Sequence, residues 1–266
     1  MLRSVLGKTI RDLRWPTFWV AAALLIAAFY FTAAYPTYVK TFDLDQLLSK
    51  MPAAMKTLIG GSLIDVSSVN GFLNVELFPL ILPAVLAGYA IGLGSGLTAG
   101  EESRGTIDVL LSYPVRRSTI VLDKVLATGL SVAIGAACLW IGSILGAGAG
   151  NSPIDGGDVA AGLLLAVLLA FDFGALAVLL AAGTGNRGAT AGLSAAVLVV
   201  MYFMNALAPV IPSLDSVKGL SLFYWYLEGN PLRNGLAIGD ALVLAAVALA
   251  LLGLALPTFE RRDLSA

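Results

Sequence analysis

Six apolar runs, each close to 20 residues long, dominate this sequence, spanning roughly Phe18 to Tyr35, Leu77 to Thr98, Leu126 to Gly146, Val159 to Ala182, Ala189 to Val210 and Leu236 to Pro257. A helix rises about 1.5 Å per residue, so about 20 apolar residues cross a hydrocarbon layer of about 30 Å. Charged residues make up only 12% of the chain, about half the share of a soluble domain. The expected fold is therefore an all-α integral membrane protein with six transmembrane helices. The short connections leave no room for a second folded soluble domain, so residues 1–266 are read as a single transmembrane domain. The first run follows a basic start and ends in Thr32-Ala33-Ala34, a pattern shared with cleavable signal peptides; it is read as a retained span.

Orientation follows from Lys and Arg, which accumulate in cytoplasmic loops. With the amino terminus inside, Arg3, Lys8, Arg11, Arg14, Arg104, Arg116, Arg117, Lys124, Arg187, Arg261 and Arg262 are cytoplasmic, eleven of the sixteen basic residues. Lys40, Lys50, Lys56, Lys218 and Arg233 fall outside, three of them among Asp43, Asp45 and Asp65. A multi-pass protein of the plasma (inner) membrane with both termini cytoplasmic is expected. Ahead of the first span, Leu2, Val5, Leu6, Ile10 and Leu13 form one helical stripe, and Arg3, Lys8, Arg11, Asp12 and Arg14 occupy the other side. Residues 1–15 thus read as an N-terminal amphipathic interfacial helix, basic face toward anionic headgroups, ended by Pro16.

The long segment from Pro36 to Glu76 carries apolar residues at helical spacing and reads as one or two short amphipathic helices. Leu220, Phe223, Tyr224, Trp225 and Tyr226 cluster before the last span and suit the membrane boundary, where ring and polar tip are both satisfied. In the second span Gly88, Gly92, Gly96 and Gly100 recur every fourth residue, a bare ridge for helix packing; Pro79 and Pro83 should kink the same helix. Gly142, Gly146 and Gly150 form a second ridge. Packing within the subunit or a moving gate would both use such ridges.

Composition excludes several chemistries. The chain has no histidine, which removes a zinc metalloprotease and a rhomboid-like serine protease, each of which needs one. Gly7-Lys8-Thr9 imitates the end of a phosphate-binding loop, but position 2 is Leu where the loop needs Gly. No catalytic residue, metal site, cofactor or nucleic-acid partner is expected in this chain. Cys138 is alone and forms no intrachain disulfide. Asp172, in Phe171-Asp172-Phe173-Gly174 near the middle of the fourth span, stands out, because an ionised carboxylate there costs about 2.5–3.5 kcal/mol on insertion scales. It must be protonated, wet or partnered, with Asn205, Tyr202 and Thr190 as candidate neighbours. Contact with cargo and a structural interhelical hydrogen bond both remain open for it.

Between the second and third spans the chain reads Gly100-Glu101-Glu102-Ser103-Arg104-Gly105-Thr106-Ile107-Asp108-Val109-Leu110-Leu111-Ser112-Tyr113-Pro114-Val115-Arg116-Arg117. Thr106 to Ser112 forms a short amphipathic helix bracketed by Gly105 and Pro114, with charges crowding both ends. The residues alone fit a solvated loop or a partner site. The segment resembles the hallmark of type-two ABC exporter permeases, in which acids, Gly-Thr, an acid, Leu-Leu, Ser-x-Pro and a basic pair lie between spans two and three. The later Phe223-Tyr224 and Gly229-Asn230-Pro231-Leu232 resemble this family more weakly, and Asp108 and Asp123 depart from its commoner Glu and Gly.

The resemblance implies a cytoplasmic coupling helix within 100–124, with Glu101, Glu102, Arg104, Gly105, Thr106 and Asp108 docking a separate ATPase that binds ATP and Mg. The loop Gly183 to Gly188, with Asn186 and Arg187, would be a lesser contact. It further implies two ATPase subunits, a second six-span permease subunit, identical or not, and a path lined by spans two and five. Tyr202, Met204 and Asn205, with Asp172, are then candidate path residues, and the apolar lining suits a hydrophobic or amphiphilic cargo moved outward. An ion-gradient-driven transporter would show more intramembrane ionisable residues, and a non-transporting anchor or assembly factor is the other alternative.

Overall fold

The computed structural model describes residues 5–41, 68–96 and 117–261. Among these every regular element is helical: α1 (Val5–Thr41), α2 (Val69–Glu76), α3 (Ile81–Gly96), α4 (Arg117–Ala149), α5 (Gly156–Thr184), α6 (Arg187–Leu207), α7 (Pro212–Asp215), a 3-10 turn at Lys218–Leu220, α8 (Leu222–Leu227), α9 (Pro231–Asn234) and α10 (Ile238–Arg261). Five helices (α1, α4, α5, α6 and α10) are each long and apolar enough to cross a membrane, and α2 with α3 makes a sixth span bent by 54°. The protein is thus an all-α integral membrane protein, each expected span matching a helix or, for the second, the bent pair.

That bend has a covalent cause. Pro79 and Pro83 carry no N–H, so the backbone ladder reorganises across Leu77–Leu80, with Phe78 N–H donating to Leu73 O at 3.2 Å and Leu82 N–H to Leu77 O at 2.8 Å. Leu82 would otherwise serve the Phe78 carbonyl. Tyr226 Oη donates to that carbonyl instead, at 2.9 Å, and both residues are fully buried. An orphaned backbone acceptor is costly in a lipid-embedded bundle, so the kink and the buried tyrosine form one unit. Tyr226 and Phe223 are therefore core side chains rather than boundary anchors; of that aromatic cluster only Leu220 is largely exposed.

Pro16 behaves differently from expectation, since α1 runs through both Pro16 and Pro36 without ending. The segment after Val5 is helical, as its stripe indicates, but it is continuous with the first span. The reason is packing. A Pro costs one main-chain bond, and α1 lies along α4 for much of its length, where the second glycine ridge lets the two backbones touch. A methyl at Gly142 would strike the Leu25 carbonyl, one at Gly146 the Phe29 carbonyl and Thr32 hydroxyl, and one at Gly150 would lie 3.1 Å from the Ala33 carbonyl. This is small-residue packing of the kind dispersion favours in lipid.

Helix α5 is the centre of the bundle, touching α3, α4, α6, α8, α9 and α10. Its most apolar stretch is 61% buried, against 11% for α6, so α6 sits at the periphery. Asp155 caps α5, its Oδ1 accepting from Gly157 N–H at 2.9 Å and Asp158 N–H at 3.1 Å. Gly185 ends it at φ 63°, a left-handed position that favours glycine. Asn186 then caps α6, accepting from Ala189 N–H at 3.0 Å. Consecutive caps over two residues explain how the chain reverses so tightly there.

Candidate functional site

On one side of the bundle lie the start of α1, the end of α3, the start of α4 and the α5–α6 turn. The predicted docking residues Glu101, Glu102, Arg104, Gly105, Thr106 and Asp108 lie outside the described residues, as does Gly100. The flanks of that segment are described. At Gly96, the last residue of α3, the Arg187 guanidinium carbon lies 3.7 Å from where a methyl would project. The exposed α5–α6 turn, the lesser predicted contact, is thus placed beside the point where the 97–116 segment leaves α3. At the start of α4, Asp123 Oδ2 accepts from Leu6 N–H at 3.2 Å. A carboxylate accepting from a backbone N–H makes a charge-assisted hydrogen bond, stronger than a neutral one. Nothing in the sequence pairs those two positions, 117 residues apart.

Helix α3 has two faces with different uses. Gly94 approaches α5 closely: a methyl there would stand 2.7 Å from the Gly174 carbonyl and 3.1 Å from the Ala177 methyl. Gly88 and Gly92 have nothing within 4 Å among the described residues, so the predicted ridge seats no described helix at these two positions. Ile81, Val85 and Gly88 are exposed and Gly92 is half-buried, and together they form a face that the described residues leave open at the two glycines. The neighbouring α6 likewise exposes Leu193, Val199, Val200 and Phe203.

Asp172 is completely buried in α5, and neither carboxylate oxygen has a hydrogen-bond partner among the described residues. The sequence-proposed neighbours do not supply one. Thr190 shares a hydroxyl hydrogen bond with Thr184 at 2.9 Å, and Tyr202 packs edge-on against Phe223 with ring centres 5.5 Å apart. Asn205 and Met204 are half-buried on α6. Ser194, also on α6, carries a buried hydroxyl that likewise has no hydrogen-bond partner among the described residues, and sequence reading missed it because serine is unremarkable in a span. A crevice of about 10 Å³, lined by Gly94, Val125, Thr128, Phe171, Gly174, Ala175 and Val178, is at the lower limit for one water molecule. No route for a cargo passes there in this conformation.

The opposite side is locked by asparagines. Asn70 Nδ2 donates to Asp155 O at 3.2 Å and Leu232 O at 3.1 Å, while its Oδ1 accepts from Asp155 N–H at 3.1 Å. This ties α2 to the start of α5 and to α9. Asn230 holds a left-handed φ of 46°, which asparagine tolerates better than most residues, just before Pro231 begins α9. The Asn-Pro pair in the sequence was the one legible sign of this corner. Lys218, beside Asp215 at 3.0 Å, sits nearby, and its hydrogen bond to that carboxylate raises its pKa.

No curated protein matches the chain closely enough to be named as a relative. A family model described as ABC-2 family transporter protein matches residues 4–264, which cover the bundle, the kinked second span and the α5–α6 turn together. The chain belongs to the ABC-2 transporter family, as a membrane subunit of an ABC transporter that carries no ATPase motif of its own.

Proposed function

We propose that this chain is the membrane half of an ATP-driven exporter, paired with a second six-span subunit and powered by two separate ATPase subunits that hold ATP and Mg. Both termini and the 100–117 segment face the cytoplasm in this reading, in the inner membrane. Glu101, Glu102, Arg104, Gly105, Thr106 and Asp108 seat in the ATPase, with Asn186 and Arg187 beside them. Closure of the ATPases on ATP shifts how the two membrane halves meet, in the alternating-access sense.

The observation that carries the reading is the surface of α3 and α6 that the described residues leave open, with Ile81, Val85, Gly88 and Gly92 on one helix and Leu193, Val199, Val200 and Phe203 on the other. A family that works as paired membrane halves needs such a surface, and two-fold closure would bury it. Its apolar character supports a hydrophobic or amphiphilic cargo, with Tyr202, Met204 and Asn205 on α6 and Asp172 on the adjoining α5 as path residues.

The test is co-purification with the ATPase from native membranes, followed by ATP hydrolysis after Glu101→Ala with Arg104→Ala. Loss of pairing or of coupled hydrolysis supports the docking assignment. Undiminished pairing and coupling in the double variant refutes it, and gradient-driven uptake without ATP would refute the exporter reading itself.

A further inference from the structure

Helix α1 has one side buried and one side bare. At about 100° per residue, Thr17, Ala21, Leu24, Ala28, Thr32 and Tyr35 fall on one side, and all are buried. Lys8, Arg11, Trp15, Trp19 and Ile26 fall on the opposite side, with Phe18 at its flank, and all are exposed; Arg14 shares the azimuth of Thr32 but is itself exposed at this end of the helix. Because the helix does not end at Pro16, this is a single unbroken face whose chemistry changes along its length: cationic, then aromatic, then aliphatic. Trp15 and Trp19 are 58% and 66% exposed, too bare for core residues. Exposed tryptophans on a membrane helix settle at the boundary between headgroup and hydrocarbon.

The cations then have a fixed depth. Lys8 lies seven residues before Trp15, about 10 Å outward along the axis, and long basic side chains reach along the helix to put their heads in the polar layer. Among the described residues no ion pair engages Lys8, Arg11 or Arg14. Asp12 lies on the same side and lowers the local charge without cancelling it. Asp123, the carboxylate that α4 brings to this end, is already held by the Leu6 N–H. The Arg14 guanidinium lies 5.9 Å from the centre of the Trp15 ring, which links the cationic and aromatic zones.

We infer that Lys8, Arg11 and Arg14, with Trp15 and Trp19 beneath them, form a binding site for an anionic phospholipid headgroup in the leaflet that meets the amino-terminal end of α1. The cations take the phosphate and the tryptophans bracket the glycerol and upper acyl region. This site is independent of what the transporter carries and of which ATPase drives it.

The experiment uses the full chain with Trp140→Phe and Trp225→Phe, so that Trp15 and Trp19 are the remaining tryptophans. It is reconstituted in phosphatidylcholine, and brominated phosphatidylglycerol or brominated phosphatidylcholine is added as a quencher of tryptophan fluorescence. Phosphatidylglycerol should quench preferentially, and the preference should fall as salt is raised. Its relative binding constant should drop about fivefold for each of Lys8→Gln, Arg11→Gln and Arg14→Gln, and roughly a hundredfold for the triple variant if the charges act independently. Arg11→Lys should retain most of it, and near-ultraviolet circular dichroism should show the triple variant folded. Equal quenching by the two lipids, or an unchanged preference in the folded triple variant, overturns the site. So does an acidic protein partner that co-purifies only with the wild-type cations while lipid preference is absent, since the face would then belong to that partner.

Discussion

Asn74 Nδ2 donates to Asn230 Oδ1 at 3.2 Å, joining two buried residues 156 positions apart. With the three bonds of Asn70 it fixes α2, and so the first arm of the kinked span, against the segment that precedes α10. Asn70→Ala removes the side-chain partner of the buried Leu232 carbonyl and of the part-buried Asp155 N–H, while the Asp155 carbonyl keeps the Val159 N–H at 3.2 Å, and should cost about 1–3 kcal/mol. At position 230 the backbone gives a sharper comparison. Asn230→Gly loses the hydrogen bond but keeps the left-handed φ of 46°, whereas Asn230→Ala loses both and should be less stable than the Gly variant by about 1–2 kcal/mol. Thermal unfolding in detergent measures each; equal midpoints for the Gly and Ala variants would show that the backbone strain is not real.

The two faces of α3 should respond oppositely to the same small change. Gly94→Ala pushes a methyl to 2.7 Å from the Gly174 carbonyl, a backbone atom that cannot swing aside, and overpacking of this kind costs about 1–3 kcal/mol. Gly88→Ala and Gly92→Ala meet open space and should leave the isolated subunit unchanged or up to about 1 kcal/mol more stable, since Ala favours the helix. If the uncovered face is where membrane halves meet, the latter two should instead weaken association of subunits, read by chemical cross-linking in membranes. Destabilisation of the isolated subunit by Gly88→Ala would mean the face packs within the chain after all.

These contrasts mark what the sequence could convey. Helix cores were legible, because runs of near 20 apolar residues have one solution in lipid. Pro79 and Pro16 are the same chemistry with opposite outcomes. Pro79 breaks its helix because Tyr226 is present to satisfy the freed Phe78 carbonyl, while Pro16 is absorbed by a helix already pinned along α4. That difference lies in partners far along the chain. The ridge of Gly142, Gly146 and Gly150 was readable and serves α1, yet Gly88 and Gly92 share its spacing and touch nothing described. Spacing shows which face is bare but not what covers it. For the docking segment the motif was informative and the described coordinates add only its flanks, Gly96 and Asp123. Asp172 was visible as an anomaly, but its named neighbours Asn205, Tyr202 and Thr190 make other contacts or none with it.

The Asp123 carboxylate should hold the first turn of α1 in place. Asp123→Ala removes the acceptor for the Leu6 N–H and should cost about 1–3 kcal/mol, as loss of a hydrogen bond to a charged group does. Asp123→Asn keeps an acceptor and loses only the charge-assisted part of that bond. The effect should be local, so the readout is amide hydrogen exchange: protection at Leu6 and its neighbours falls in the Ala variant and is largely kept in the Asn variant, with the centre of α5 unchanged. Unaltered exchange at Leu6 in Asp123→Ala would show that this hydrogen bond does not hold the helix end.

Asp172 offers the clearest separation of stability from function. A structural carboxylate is held by partners, and cutting it away exposes them; Asp172 has none among the described residues, so its removal orphans no described group. Asp172→Leu should therefore leave the subunit's unfolding midpoint unchanged or raise it, because a polar group at mid-membrane depth is exchanged for an apolar one of similar size. A structural hydrogen bond would predict the reverse, a loss of about 1–3 kcal/mol in the Leu variant with partial rescue in Asp172→Asn. Under the proposed function the group is kept for a conformation in which the path opens beside it. Transport should then fall in Asp172→Leu while folding and ATPase pairing persist, and Asp172→Asn should separate a need for polarity from a need for charge. A stable Leu variant with full transport would leave this carboxylate without a role in either.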